Sequence, residues 1–226
     1  MRPGRDGDVV PATTRAGKHW YFAEGYTGLT FGETIAVLNP SPSTTARVTL
    51  RLLPLNGKAA TTDVLHVAPH AQALVDVGAL LHGHSVAIIL ESTSAVAVER
   101  TLTFSYAGKV RGYGLTAQAG VGEPSTRWYF AEGTTSNGFE TYLTVLNPGT
   151  STTHVLARFY DADGRALGQR ALTVGAARRA NILVGDVVHA TSIASVVTSD
   201  RPIVVEQPEY FGSPNAARVA GSVAAG

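Results

Sequence analysis

Apolar and polar positions alternate along most of the chain in short runs, the period-two pattern of strands that turn one face to a core and the other to water. In Val96-Ala-Val-Glu-Arg-Thr-Leu-Thr-Phe104, residues Val96, Val98, Leu102 and Phe104 share one face while Ala97, Glu99, Thr101 and Thr103 share the other. The same pattern predicts strands over residues 34–39, 46–53, 61–67, 71–77, 85–91 and 96–106, rich in β-branched residues and bounded by Asn39-Pro40, Asn56-Gly57, Ala68-Pro69 and His82-Gly83. With the Trp20–Ala23 segment this makes about seven strands, the number expected of an immunoglobulin-like sandwich. Further strands are predicted over 141–147, 154–161, 169–174, 179–183, 192–199 and 203–211, with Asp163-Gly164 at a hairpin turn. Pro208 places the last of these at a sheet edge or on a bulge.

The two sets of strands are copies of one another. His19-Trp-Tyr-Phe-Ala-Glu-Gly25 returns as Arg127-Trp-Tyr-Phe-Ala-Glu-Gly133, an offset of 128 − 20 = 108 that persists through Phe31/Phe139 and Val37-Leu-Asn-Pro40/Val145-Leu-Asn-Pro148. After one deletion the offset is 107 and pairs Gly57/Gly164, Val67/Val174, Gly78/Gly185, His82/His189, Val98-Glu99/Val205-Glu206 and Phe104/Phe211. Such a period is too long for a solenoid or propeller unit and suits a self-sufficient sandwich. The predicted organisation is an N-terminal segment 1–18, one sandwich over 19–119, a Gly- and Pro-bearing linker 120–126 and a second sandwich over 127–226, strung as beads.

Composition narrows the function classes. With 44% hydrophobic and 15% charged residues, 24 Gly and 11 Pro, the chain favours short strands and tight turns over long helices. A formal charge of +1, with Lys and Arg scattered, leaves no footprint for nucleic acid or anionic lipid. The absence of cysteine excludes disulfides, thiolate metal sites and a Cys nucleophile. No apolar run is long enough to span a bilayer, and residues 1–18 lack the apolar centre of a signal peptide, so export would use a signal outside this chain.

The Trp-Tyr-Phe-Ala-Glu-Gly motif, the later Phe and Leu-Asn-Pro, and the closing Asp200-Arg-Pro-Ile-Val-Val-Glu-Gln-Pro-Glu-Tyr-Phe211 resemble an uncharacterised repeat of large secreted and cell-surface bacterial proteins. The resemblance covers residues 19–226 and implies an extracellular or cell-surface location and a tandem architecture, with no common catalytic activity. The first copy departs from it at Thr93-Ser-Ala-Val-Ala-Val-Glu-Arg-Thr-Leu-Thr-Phe104, which lacks both prolines.

Several side chains are candidates for chemistry. Glu24, Glu132, Glu99 and Glu206 sit beside apolar residues and are expected to be poorly solvated. Paired carboxylates can act as general acid and base across a sugar ring, but a recurrent Glu at a strand end more often accepts backbone N–H groups or pairs with an arginine such as Arg100. Structural carboxylates are the expectation. In Trp20-Tyr21-Phe22 and Trp128-Tyr129-Phe130, alternation turns the Tyr away from its neighbours, which makes Tyr21 and Tyr129 the candidate ligand contacts of a sugar platform. His82 and His84 have the spacing of a metal pair, but Thr191 replaces His84 in the second copy. Asp161, Asp163 and Gly164 resemble the start of a calcium loop without its later carboxylate and are read as a turn. No cofactor motif is present.

The expectation for function is a non-catalytic extracellular structural or adhesive module, able to self-assemble through uncovered edges into a filament or layer, with copies of itself or other surface proteins as partners. The alternative is a carbohydrate-binding module that uses one exposed aromatic in each copy.

Overall fold

The computed structural model describes residues 13–28, 30–55, 57–107, 111–212 and 219–225. The chain is all-β, two seven-stranded antiparallel sheets, one from each repeat. In repeat 1 the strands are β1 (Gly17–Phe22), β2 (Phe31–Leu38), β3 (Ala46–Pro54), β4 (Thr61–Val67), β5 (Gln72–Asp76), β6 (Val86–Ala107) and β7 (Arg111–Ala119), with a single helical turn α1 (Val77–Leu80) after β5. Repeat 2 follows with β8 (Ser125–Phe130), β9 (Phe139–Asn147), β10 (Thr153–Tyr160), β11 (Ala166–Val174), β12 (Arg178–Leu183), β13 (Ala194–Gly212) and β14 (Val219–Ala225).

One long strand organises each repeat. β6 runs for 22 residues; its first half pairs with β1 and β3, its second with β2 and β7. It therefore belongs to two layers, β4-β3-β6-β1 and β5-β2-β6-β7, whose inner residues close on one core: Trp20, Phe22, Val48, Leu50, Leu52, Ile88 and Leu90 from the first layer, Ile35, Val37, Val75 and Val98 from the second. β13 does the same in repeat 2 with β8 and β10, then β9 and β14. The sequence pattern divides each long strand in two at its polar middle, Ser92–Ala95 and Asp200–Pro202, where the chain changes layers while staying extended. The register with β1 and β8 slips there, and the motif tryptophan pins the slip: Trp20 Nε1 donates to Val96 O at 3.0 Å and Trp128 Nε1 to Ile203 O at 3.0 Å.

Two strands escape the period-two reading. β7 and β14 are rich in Gly, Ala and small polar residues and carry little alternation. A Cβ at Gly114 would lie 2.4 Å from the Phe104 ring, so β7 approaches β6 only because glycine stands there. The expectation for Pro208 is corrected as well. It lies in a central strand, between β9 and β14, and the ladder to β9 lapses around it and resumes in the same register, Glu206 opposite Thr144 and Glu209 opposite Thr141.

The Leu-Asn-Pro motif does more than end a strand. Asn39 Nδ2 donates to Thr44 O, Val67 O and Ala68 O at 2.8, 2.9 and 3.1 Å, and its Oδ1 accepts Ser41 N–H at 3.1 Å. Asn147 repeats the set on Ser151, Val174, Gly175 and Gly149. Each buried amide thereby ties together two turns through their backbone carbonyls.

Candidate functional site: the buried junction between the repeats

The repeats meet face to face rather than hanging as separate beads. Within the segment read as a linker, Val121 exchanges both backbone bonds with Tyr21, at 2.9 and 3.0 Å, and β8 already begins at Ser125. The outer side of the first layer of repeat 1 supplies Ala23, Leu53, Ala87 and Ile89, all buried in one continuous apolar cluster with repeat 2. Opposite them are Leu146 and Val204, which alternate with the core residues Val145 and Val205 and so project outward from β9 and β13. β13 is consequently buried on both faces from Ile203 to Tyr210.

Among the described residues, four buried charged side chains meet across this contact, and Arg178 donates across its edge to Lys58 O at 3.1 Å. Arg179, from β12, places Nη2 2.6 Å from Glu24 Oε2 and donates through Nη1 to Gly25 O at 2.8 Å and Val86 O at 2.6 Å. Arg100, on the inner face of β6, places Nη1 2.9 Å from Glu206 Oε2, donates to the Glu24 carbonyl, and lies 5.1 Å from the Phe22 ring centroid. Glu206 Oε2 also accepts the Glu24 N–H at 2.7 Å. All four side chains are at least nine-tenths buried. Two guanidinium groups thus face two carboxylates away from water, and the repeats cannot part without exposing or orphaning them.

The electrostatics follow from burial. Glu24 is pushed up chiefly by desolvation, against the pull of Arg179 and Arg100. Burial acts against the charge on Arg100 too, but Glu206, Glu33 and Glu24 reverse it and hold the guanidinium above its usual value. Glu33, on β2, is wholly enclosed, and neither carboxyl oxygen has a hydrogen-bond partner among the described residues. Desolvation pushes it up to about 8, so it is mostly protonated at neutral pH. Gly25 permits this crowding, since a Cβ there would meet both Glu33 oxygens and Val86 O at 2.7 Å.

Beside the charges lies an aromatic seam. Tyr210 of repeat 2 packs edge-on against Phe104 and Phe31 of repeat 1, with centroids 5.3 and 6.2 Å away. The seam opens into a cleft of about 340 Å³ lined by Tyr26, Phe31, Tyr142 and Tyr210 with Glu24, Arg179, Asn181 and Thr144. A second groove of about 350 Å³ has Tyr21 on one side and the Asn147–Ser151 turn with Arg201 on the other.

The candidate residues are therefore distributed unevenly. Glu24 and Glu206 come together at the junction. Glu99 and Glu132, their counterparts, are exposed because no neighbour covers the surfaces they occupy, which corrects the expectation of poor solvation. Tyr21 is half-buried at the junction, its hydroxyl raised by burial and by Glu91, whereas Tyr129 is 59% exposed. His82 is exposed and His84 half-buried in the segment before β6, and the described residues contain no cluster of three metal-ligating side chains. Asp161 Oδ1 accepts the N–H groups of Asp163 and Arg165 at 2.9 and 2.8 Å, which spends it on the hairpin turn. No described helix is long and apolar enough to cross a membrane.

Sequence reasoning passed over Arg179 and treated Arg100 only as a possible partner. A signal existed in the alignment of the repeats. Gln72 stands where repeat 2 has Arg179, and Gln207 where repeat 1 has Arg100; these are two of several positions, Asp63/Arg170 and Leu102/Glu209 among them, at which charge differs between the copies.

No family model and no curated protein matches the chain. Among solved structures, Thermotoga maritima 1070 is similar with a TM-score of 0.42 and 16% identity, over 47% of this chain and 94% of its own. An Anabaena sensory rhodopsin transducer aligns with a TM-score of 0.32 and 33% identity, over 36% of this chain and 92% of its own. A glycosyl hydrolase family 2 member from Bacteroides cellulosilyticus aligns over 92% of this chain and 28% of its own, at 9% identity and a TM-score of 0.20.

Proposed function

We propose that the chain is a non-catalytic structural module of an extracellular bacterial surface protein, a stiff two-repeat spacer whose task is to hold what it joins at a set distance and angle. The observation that carries this is the junction itself. The carboxylates with the strongest claim to acid–base chemistry, Glu24 and Glu206, are spent on Arg179, Arg100 and a backbone N–H. Both carboxylates are more than nine-tenths buried and held by arginine, which leaves neither open to a sugar ring. A desolvated ion-pair network is weak as a source of net stability, but it penalises every arrangement that fails to complete it, which suits a device for fixing orientation.

Stiffness is measurable as a distance distribution. The chain has no cysteine, so Thr62→Cys on β4 and Thr173→Cys on β11, both exposed, accept spin labels cleanly. Pulsed electron–electron resonance is expected to return one narrow distance, and a broad distribution would remove the spacer reading. A second reading, carbohydrate binding, is supported by the tyrosine-lined cleft beside the junction. A glycan array discriminates: silence leaves the spacer, and a specific signal favours the cleft.

A further inference from the structure

The surface of repeat 2 that corresponds to the covered face of repeat 1 is open. Ala23, Ala87, Ile89 and Leu53 of repeat 1 are buried by repeat 2, whereas their counterparts Ala131, Ala194, Val196 and Tyr160 are exposed or half-exposed, and Tyr129 stands beside them. The polar frame of the junction is reproduced here too. Gln207 Nε2 donates to Glu132 O at 2.9 Å, as Arg100 donates to Glu24 O. Phe139 stacks on Phe211 with centroids 4.9 Å apart, as Phe31 stacks on Phe104 at 5.6 Å. Repeat 2 thus presents half of a junction already built once within the molecule.

What the other half must carry can be worked out from the junction that exists. The covering face of repeat 2 brings Leu146, Arg179, Glu206 and Tyr210. In repeat 1 the matching outer face has Leu38, Gln72, Glu99 and Thr103, with Leu38 opposite Gln72 as Leu146 is opposite Arg179, and Ala36 opposite Glu99 as Thr144 is opposite Glu206. The apolar element survives in Leu38, 44% exposed, and is extended by Leu74, 66% exposed, where repeat 2 has Asn181. The cation and the aromatic do not. Were a second copy of this chain to add head to tail, Glu132 and Glu99 would be buried without a guanidinium, and the Phe139–Phe211 stack would lack its tyrosine; burying unpaired carboxylates costs several kcal/mol each.

We infer that the Tyr129 face docks a further sandwich repeat that carries a basic residue at the Arg179 position and a tyrosine at the Tyr210 position, and that Gln72 and Thr103 keep this chain from serving as its own partner. This deepens the spacer reading and rests on it, but the test reads association, not stiffness, so either can fail alone.

The test grafts the missing elements onto the exposed outer face of repeat 1. Gln72→Arg, Glu99→Gln and Thr103→Tyr together are expected to turn a monomer into head-to-tail oligomers in light scattering over a concentration series, and Tyr129→Glu added to the graft is expected to restore the monomer. Gln72→Arg alone, at an exposed position on a strand surface, is expected to fold and to associate more weakly, with the same dependence on Tyr129. The inference is overturned if the graft and the single variant both stay monomeric, if the native chain oligomerises equally well, or if Tyr129→Glu leaves the graft's association unchanged.

Discussion

At the scale of single residues, Glu33 carries the clearest response to pH although its side chain is almost wholly shut off from water. Its carboxyl titrates near 8 in the folded chain and near the ordinary glutamate value of about 4.3 when unfolded. The folded state therefore binds the extra proton between those values, and stability must fall as pH rises through that window. Glu24 and Glu209, both raised chiefly by burial, act in the same direction. Glu33→Gln keeps the shape of the protonated acid and cannot ionise. Urea midpoints measured from pH 5 to pH 9 should decline for the native chain and decline much less for Glu33→Gln, which should be the more stable at pH 9 by a few kcal/mol. Equal slopes would show that Glu33 is solvated.

At the scale of elements, most of the fold was legible because strands half in a core must alternate. β4 is found at the predicted residues, and the other predicted strands differ by a few residues at their ends. β7 and β14 were not legible, because pattern reading needs large apolar residues at alternate positions and their sequences carry few; in β7, Gly114 lets the strand lie against Phe104. The single long strands β6 and β13 were read as pairs since polarity at their middles looks the same whether the chain turns or merely changes layers. Trp20, Trp128, Asn39 and Asn147 explain the most recognisable part of the repeat motif, which is a set of side chains that bond to backbone where layers and turns meet. Asn39→Ala removes the amide donor shared by the carbonyls of Thr44, Val67 and Ala68, the last of which keeps the Ala71 N–H, and should cost about 2 kcal/mol. Chemical denaturation would report it, and a loss below about 1 kcal/mol would mean that the turns hold themselves.

At the scale of the whole molecule, the junction was half legible. Each sandwich follows from its own pattern of hydrophobic residues, but which outer faces meet depends on charges that differ between copies, and a repeat read for its similarities hides them. Gln72 against Arg179 and Gln207 against Arg100 are small departures along the chain and decide the arrangement in space. The central claim is that these contacts make the two repeats one cooperative unit. The chain contains two tryptophans, Trp20 in one core and Trp128 in the other. Incorporating 5-fluorotryptophan gives one fluorine resonance for each repeat in an otherwise native protein, and urea titration follows both at once. The account predicts that the two native signals vanish together at one midpoint, and that Arg179→Ala, which leaves Glu24 buried without its cation at a cost of about 3–5 kcal/mol, lowers stability and separates them. Two well-spaced transitions in the native chain, or an Arg179→Ala chain that unfolds like the native one, would contradict it.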